Sequence, residues 1–416
     1  MSGDEKQPLA PRLRFSEFSN EQPWSFLPLG RLARRSTKKN TDGDITRVLT
    51  NSAEYGVIDQ RDFFDKDIAN QGNLEGYYIV EEGDYVYNPR ISARAPVGPV
   101  SKNRIGLGVM SPLYTVFRFN SSLNDFYAHY FKSTHWHHYM RQASSTGARH
   151  DRMSITNDDF MGLPLPVSNP GEQQKIADCL SSLDDLIAAE TQKLETLNTY
   201  KKGLMQQLFP REGEIVPRLR FPEFEDSEEW QENQLGNLVE VRSGYSPSQY
   251  RLGGDGSYPF VKVEDLNNCT KHQVGAREYS SDAYGLIPCD SVIFPKRGAA
   301  IALNKIRLTR DELLMDTNMM ALTPRAQCSA EFLFYYLSNI GLSQIADNST
   351  IPQINNKHIT PFRIVIPSID EQHRISDCLS ALDECIANQA LKLESVKTHK
   401  KGLMQQLFPV LDEVGA

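Results

Sequence analysis

Long apolar runs are missing from this 416-residue chain, and cysteine is scarce. No stretch is apolar enough to span a bilayer, and residues 1–15 lack the apolar core of a signal peptide. The six cysteines include no Cys-x-x-Cys pair, so they predict free thiols in a reducing compartment rather than a disulfide framework. We therefore expect a cytoplasmic protein without a membrane partner.

The motifs of several enzyme classes are also absent. The glycine-rich run at 253–256 lacks the Lys-Ser/Thr of a phosphate loop, and residues 88–90 (Asn-Pro-Arg) lack the second proline and the aromatic residue of an adenine methyltransferase motif. No His-Glu-x-x-His or nucleophile elbow occurs. The histidines of 135–138 are adjacent and would point to different faces of a helix, which favours a solvated or nucleic-acid-facing patch over a metal site. We predict no catalytic residue, metal or cofactor in this chain.

The overall charge does not by itself favour nucleic-acid binding, since the formal net charge is -8 at pH 7. Its distribution is uneven: two near-neutral blocks, 24–160 and 230–361, are joined by acidic segments. This arrangement permits locally basic faces without demonstrating them. The length is too great for one ordinary core and predicts at least two domains.

An internal repeat organises the chain. The octapeptide PRLRFSEF at 11–18 returns as PRLRFPEF at 217–224, and Trp24 then matches Trp230 at the same offset. Residues 172–210 recur at 371–409 with roughly 25 of about 40 positions identical. The offset there is smaller, so the first repeat carries about seven extra residues, near 132–148. Each repeat thus joins a variable block, mixed in strand and helix signals, to a nearly duplicated helix.

The duplicated helices have apolar residues at alternating steps of four and three, which is a coiled-coil heptad. Polar residues interrupt the seam at Glu190 and Lys201 in the first helix and at Gln389 and Lys400 in the second. A pseudo-two-fold axis between the repeats predicts antiparallel pairing, with the polar positions setting register. The alternative is that each helix packs on its own domain.

These features together resemble type I restriction-modification specificity subunits. The resemblance rests on Glu172-Gln173 and Glu371-Gln372 at the helix starts, on Leu-Asp pairs within the helices, and on a repeated Leu-Met-Gln-Gln-Leu-Phe-Pro end. It implies an α/β (α+β) fold with two pseudo-symmetric target-recognition domains separated by two long antiparallel coiled-coil helices. The expected order is an N-terminal arm (1–23), recognition domain 1 (24–168), a central spacer helix (169–210), an acidic linker with the start of the second repeat (211–229), recognition domain 2 (230–367), a C-terminal spacer helix (368–409) and a tail (410–416).

The resemblance also implies a function and partners. Each recognition domain would read one half of a split site on double-stranded DNA, and the helices would set the spacing and bind two methyltransferase subunits. The resemblance leaves open whether two restriction subunits also bind. S-adenosylmethionine, ATP and Mg would belong to the partner subunits.

Candidate DNA-binding residues are the cationic and amide side chains of matched polar stretches in the two blocks. In the first block they are Arg90, Arg94, Lys102, Arg104, Arg149, His150 and Arg152. In the second they are Lys262, Lys296, Arg297, Asn304, Lys305, Gln353, Asn355, Asn356 and Lys357.

The identical helix ends suggest a partner surface that is present twice, and simple helix termination with packing is an equal alternative. The candidate partner-binding residues are Leu204, Met205, Leu208, Phe209, Leu403, Met404, Leu407 and Phe408. A different class of function also remains open, a non-enzymatic coiled-coil scaffold or adaptor whose variable blocks bind proteins. Steep salt dependence and preference for one DNA sequence would distinguish a DNA reader from an adaptor.

Overall fold

The computed structural model describes residues 10–63, 74–144 and 151–409. The chain forms two compact units, the first made of Met1–Glu190 with Lys392–Ala416 and the second of Thr191–Leu391. The boundary between them falls inside both long helices. Each unit therefore combines one variable block, the first half of the helix that follows it and the second half of the other long helix.

The variable block of the first unit is a small antiparallel β structure with short helices. Its main sheet has the strand order β2-β9-β6-β7, and β1 pairs with β10, β3 with β4 and β5 with β8. The strands are β1 (Ser25–Pro28), β2 (Ala33–Arg35), β3 (Leu49–Ser52), β4 (Gly56–Asp59), β5 (Tyr78–Val80), β6 (Tyr85–Tyr87), β7 (Val100–Lys102), β8 (Gly108–Met110), β9 (Thr115–Phe119) and β10 (Pro164–Val167). The helices are α1 (Leu29–Leu32), α2 (Gln60–Phe63), α3 (Asp125–Tyr130), α4 (His137–Ala143) and α5 (Asn157–Met161).

The first long helix, α6 (Pro170–Leu208), has 39 residues and is roughly 58 Å long at the usual rise. Its start follows from local chemistry, because the Asn169 side-chain oxygen accepts a hydrogen bond from the Gly171 amide at 2.8 Å. Proline is well suited to the first helical position, where its missing N–H costs nothing. Pro210 follows the last turn, and a proline cannot continue the helix.

The second unit has a similar arrangement with a larger sheet, and two of its strand pairs are parallel. Strand order is β12-β19-β16-β17-β14 in the main sheet and β15-β13-β18 in a second one, and β11 pairs with β20. The strands are β11 (Gln231–Gln234), β12 (Val239–Ser243), β13 (Tyr258–Val261), β14 (His272–Gln273), β15 (Glu278–Ser280), β16 (Val292–Pro295), β17 (Arg307–Thr309), β18 (Leu314–Met315), β19 (Met319–Pro324) and β20 (Arg363–Ile366). The helices are α7 (Leu235–Leu238), α8 (Ala299–Ala302), α9 (Ala330–Ile340), α10 (Asn356–Ile359) and the long α11 (Ile369–Leu407).

Residues that the repeat equates occupy the same positions in the strand pairs of the two units. Ser25 faces Val167 in the β1–β10 pair, and Gln231 faces Ile366 in the β11–β20 pair, which are the positions that the repeat equates. The order β2-β9-β6-β7 is matched by β12-β19-β16-β17. The prediction of a mixed fold with two pseudo-symmetric domains and long helices is confirmed.

Aromatic side chains fill the core of each unit, and the core is closed by the end of a long helix. In the first unit Phe408 packs edge-on against Phe126 and Tyr130, at ring separations of 5.3 and 5.4 Å. In the second unit Phe209 packs edge-on against Trp230 and Tyr336, at ring separations of 6.5 and 5.7 Å. Each variable block therefore depends on the helix that follows the other block for part of its core.

Three of the predicted polar seam positions, Glu190, Gln389 and Lys400, are buried, and Lys201 is half-buried. Glu190 and Lys400 are 7% and 6% exposed in the first unit. There, Asp184 pairs with Lys400, whereas Glu190, further along α6, pairs with Lys392, earlier on α11, at 2.5 Å. These segments therefore run antiparallel, as predicted. In the second unit the repeat-equivalent pair is Lys201 with Asp383.

Candidate nucleic-acid interface

Two of the stretches predicted to bind DNA meet in the first unit. Arg90 and Arg152 lie opposite each other in an antiparallel bridge. The Ile91 amide donates to the Asp151 carbonyl at 3.0 Å, and the Met153 amide donates to the Pro89 carbonyl at 2.8 Å. Arg90 is exposed and Arg152 is half-buried. The predicted residues Arg149 and His150 lie outside the described residues.

The second unit brings its two equivalent stretches together in the same manner. Arg297 faces Gln353 in an antiparallel bridge. The Ile354 amide donates to the Lys296 carbonyl at 3.0 Å, and the Gly298 amide donates to the Pro352 carbonyl at 3.0 Å. Arg297 is exposed. Each unit therefore presents one loop pair, named here the bridge loops, with an arginine at its surface.

Three other predicted cations of the first unit form ion pairs close to these loops. Lys102 and Arg104 both contact Asp125, at 2.9 and 2.5 Å, and Arg94 pairs with Glu54. Burial opposes ionisation of Asp125, but the hydrogen bond from Lys102 and the charge of Arg104 lower its pKa below the ordinary value. Because Arg94 and Arg104 are exposed, their ion pairs are screened and contribute little to stability.

A groove of about 1300 Å³ runs past these cations in the first unit. Arg94, Lys102 and Arg104 line it, and so do two further cations, Lys132 and Arg141. Sequence reasoning did not select these last two. The available signal was their position in the segment where the first repeat is longer than the second.

Two of the predicted lysines of the second unit, Lys262 and Lys296, are half-buried. The Lys296 ammonium donates to the Ser243 hydroxyl at 3.3 Å. Burial, with a smaller effect of the charge on Arg297, lowers the pKa of Lys296, and Asp316 opposes the shift. Lys262 pairs with Glu278 and lies 5.7 Å from the centre of the Phe260 ring.

The remaining predicted residues of the second unit differ in their availability. Asn304 has a left-handed backbone (φ 49°), and its amide is engaged in the fold by the Ser338 carbonyl at 3.0 Å and the Leu342 amide at 2.9 Å. Lys305 is half-buried. Asn355 precedes α10, and its backbone amide donates to His358 Nδ1 at 3.2 Å. Asn356 and Lys357 are exposed on the first turn of α10, directly after the bridge loops.

The predicted partner surface at the helix ends requires correction. Four of its residues are core residues, each 1% exposed: Leu208, Phe209, Leu407 and Phe408. The other four are partly buried against the same cores: Leu204, Met205, Leu403 and Met404. The four enclosed side chains cannot present a docking surface, so packing against two similar cores explains why they recur. For the four partly buried residues, a role in partner binding stays a prediction.

Sequence reasoning also missed a buried ionic contact that occurs once in each unit. The carboxylate of Glu172 accepts two hydrogen bonds from Arg14, at 2.7 and 2.9 Å, and one from the Trp24 indole at 3.0 Å. In the second unit Glu371 accepts the matching bonds, from Arg220 at 2.8 Å twice and from the Trp230 indole at 3.2 Å. This contact explains why the PRLRF motif, the tryptophan and the glutamate all recur.

Two negative observations apply to the parts of the chain that the structure describes, 10–63, 74–144 and 151–409. In these ranges, no group of three or more His, Cys, Asp or Glu side chains could hold a metal ion. Over the same ranges, no helix combines the length and apolar character needed to cross a membrane.

Comparison with known proteins gives a consistent result. The family model of the type I restriction modification DNA specificity domain matches residues 35–199 and 227–398. The putative type I restriction enzyme MjaX specificity subunit of Methanocaldococcus jannaschii is 25% identical over 269 residues, 62% of this chain and 61% of that protein. The MjaVIII specificity subunit of the same organism is 24% identical over 316 residues, 70% of each chain. The match thus spans about three fifths of the first relative and somewhat more of the second.

Solved structures share the fold. The S subunit of a type I restriction-modification system from M. genitalium superposes with a TM-score of 0.57 at 15% identity, covering 97% of this chain and 100% of that one. A chain from a study of complex assembly and conformational transition of the type I R-M system gives a TM-score of 0.59 at 16% identity, covering 92% of this chain and 97% of that one. Since the family model covers most of this chain in two copies, the chain belongs to the type I restriction-modification DNA specificity family and carries two domains of it.

Proposed function

We propose that this chain reads a bipartite, asymmetric site on double-stranded DNA, one half with the bridge loops of each unit, as the non-catalytic specificity subunit of a type I restriction-modification complex. The observation that carries the proposal is the repeated bridge, Arg90 with Arg152 in one unit and Arg297 with Gln353 in the other. The bridge pattern is the same, but the repeat equates Arg90 with Lys296 and Arg152 with Ile351, so the two units bridge different positions and present different side chains. Two different half-sites require such a difference.

The chemistry of these side chains suits base reading in the major groove. Arginine pairs in a bidentate manner with guanine O6 and N7, and glutamine does so with adenine N6 and N7. Neighbouring lysines and arginines would contact phosphates, which fixes position without reading sequence. The first bridge therefore favours a guanine-containing half-site, whereas the second has the groups to read guanine and adenine.

The partners follow from the family and from the duplication. Two long helices of duplicated sequence fit two copies of one partner, the methyltransferase subunit. That partner would supply adenine-N6 methylation with S-adenosylmethionine. Two restriction subunits, where present, would join through the methyltransferase subunits and bring ATP and Mg. The adaptor alternative gains no support from the family match.

An exchange of recognition blocks tests this function. Residues 230–367 of the full chain are replaced by the corresponding block of a relative with a different target, and methylated adenines are mapped in cells that also express the methyltransferase subunit. We expect one half of the methylated sequence to change and the other to remain. A change in both halves, or in neither, would show that the units do not read independently. Wild-type chain that binds duplex DNA without sequence preference or salt dependence would favour an adaptor.

A further inference from the structure

The groove of the first unit has a wall that the second unit lacks. Helix α4 (His137–Ala143) follows α3 in the first unit. In the second unit α9 (Ala330–Ile340) takes the place of α3, and the fully described stretch 341–355 contains only a 3-10 turn, Leu342–Gln344. The described part of the longer segment in the first repeat therefore includes a structural element of its own, α4.

This element is firmly anchored. Trp136, directly before α4, is 1% exposed, and its indole donates to the Phe131 carbonyl at 3.1 Å. Met140 is completely buried, and the Tyr139 hydroxyl donates to the Asp159 carbonyl at 2.8 Å. The buried side of α4 thus fixes the position of its exposed side, which carries Arg141.

The exposed side adds positive charge to the groove. Five lysines and arginines line the groove, namely Arg94, Lys102, Arg104, Lys132 and Arg141. Three carboxylates face them, from Glu54, Asp184 and Asp185. The cations of α4 and its approach therefore share one groove with Arg94, which follows Arg90 of the bridge loops closely in the chain.

Lys132 and Arg141 can bind a ligand at a small cost in free energy. Lys132 is 57% exposed at its side chain and lies 3.4 Å from Asp184. Asp184 also pairs with the buried Lys400, so the loss of Lys132 to another anion would leave that carboxylate paired. Arg141 is exposed, and no carboxylate among the described residues forms an ion pair with it. Breaking a screened surface pair costs little free energy.

We propose that α4 and the turn before it form a phosphate clamp confined to the first unit, in which Lys132 and Arg141 hold the backbone of duplex DNA beside the bases read by the bridge loops. The clamp rests on the proposed function and deepens it. Phosphate contacts position a duplex without reading its sequence, so the clamp adds affinity and salt dependence but no specificity. Contacts in the first half-site then account for more of the salt dependence than contacts in the second.

The test uses the full chain assembled with its methyltransferase subunit and measures the affinity for a cognate duplex from low to high salt. Each lost phosphate contact reduces the slope of log K against log salt by about 0.9, so K132A/R141A should lower its magnitude by about 2. The methylated sequence should be unchanged. The conservative variant K132R/R141K should keep the wild-type slope.

The matched control is R31A/K39A, which removes two exposed cations of the same unit outside the groove and should leave the slope unchanged. An unchanged slope in K132A/R141A would overturn the clamp. So would a change in the methylated sequence. A variant that no longer assembles with the methyltransferase subunit but binds DNA with normal affinity would also overturn it. If wild-type chain shows no sequence-dependent binding, the proposed function itself fails, which is a separate result from a failed clamp.

Discussion

The backbone amide of Leu13 donates a hydrogen bond to the carbonyl of Gln406 at 3.0 Å. In the second unit the amide of Leu219 makes the repeat-equivalent bond to the carbonyl of Gln207, also at 3.0 Å. There the two partners are joined by the short linker around Gly213. In the first unit the same contact forms between distant parts of the sequence.

This equivalence predicts that the chain tolerates circular permutation. A linker copied from 211–216 would join residue 409 to residue 10, and the new ends would lie within 211–216. We expect the permuted chain to keep its melting temperature within a few degrees and to direct methylation to the same sequence. The measurements are thermal unfolding and methylation mapping.

The control permutation opens the chain inside α6, after Thr191, where the break interrupts helical hydrogen bonds and the paired seam. It should unfold at a lower temperature. If opening at Thr191 is tolerated and opening at 211–216 is not, the equivalence of the two Leu–Gln contacts has no structural importance.

Glu172 and Glu371 should be among the most sensitive positions of their units. Substitution E172A removes the acceptor of the Trp24 indole and the carboxylate that pairs with Arg14, and it leaves the largely buried guanidinium with only backbone carbonyls among its described partners. Removal of one partner of a buried ion pair costs about 3–5 kcal/mol. We expect hydrogen exchange to report this loss in the first unit for E172A and in the second for E371A.

The control is D178A, which removes an exposed carboxylate of α6 that accepts only a surface bond from Gln174 at 2.7 Å. Its effect should stay within about 0.5 kcal/mol. A loss in E172A no larger than in D178A would mean that the Arg–Glu–Trp contact does not stabilise the unit.

The role of the helix ends can be assigned by replacing each phenylalanine with alanine. Truncation of a buried phenylalanine to alanine costs about 3–5 kcal/mol. Since Phe408 belongs to the first core and Phe209 to the second, F408A should weaken hydrogen-exchange protection in residues 24–168, and F209A in residues 230–367. The exposed Q405A should affect neither. Protection lost from the block that precedes the altered helix would contradict the assignment.

Sequence alone was sufficient to predict the repeat, the helices and their polar seam, since heptads and duplications are local signals. It could not predict which block receives Phe209 and which receives Phe408, because residues 204–210 and 403–409 are identical. Tertiary packing, rather than the sequence pattern, decides which block each phenylalanine enters. The Arg14–Glu172 contact was hidden for a related reason: its partners are 158 residues apart, and only their joint recurrence connects them.

The sequence indicated which segments of each block form the candidate interface, but not which individual side chains in them are available. Matched loops in the two blocks indicated where polar side chains gather, and the structure pairs those loops. Which side chains stay available depends on tertiary partners such as Ser338 and Leu342 for Asn304, and a single sequence does not show these. Lys132 and Arg141 were missed because their importance comes from the placement of α4 beside the groove.

The last prediction concerns His129, which the repeat equates with Tyr335. His129 Nε2 lies 3.0 Å from the Ser181 hydroxyl, and Nδ1 lies 3.8 Å from Asp184. The Tyr335 hydroxyl makes the corresponding contacts, donating to Asp383 at 2.6 Å and lying 3.2 Å from the Ser380 hydroxyl. Burial, followed by the charges of nearby lysines, lowers the pKa of His129 to about 4. The first unit therefore holds a buried neutral imidazole where the second has a phenol.

This difference should make the first unit more sensitive to acid. A histidine with a lowered pKa stays neutral in the folded chain but takes up a proton in the unfolded chain below about pH 6.5. Its contribution to stability is therefore complete above pH 6.5 and is lost as the pH falls towards 4, by about 2 kcal/mol at pH 5. Replacing His129 with the residue found in the other unit, H129Y, should remove that loss. His137 also has a lowered pKa, near 4, but it remains in both proteins, so its effect cancels in the comparison.

The measurement is the free energy of unfolding of the first unit, from hydrogen exchange corrected for intrinsic rates, at pH 7.5 and pH 5. Equal losses in the wild-type chain and H129Y would show that His129 is not the group that takes up the proton on unfolding.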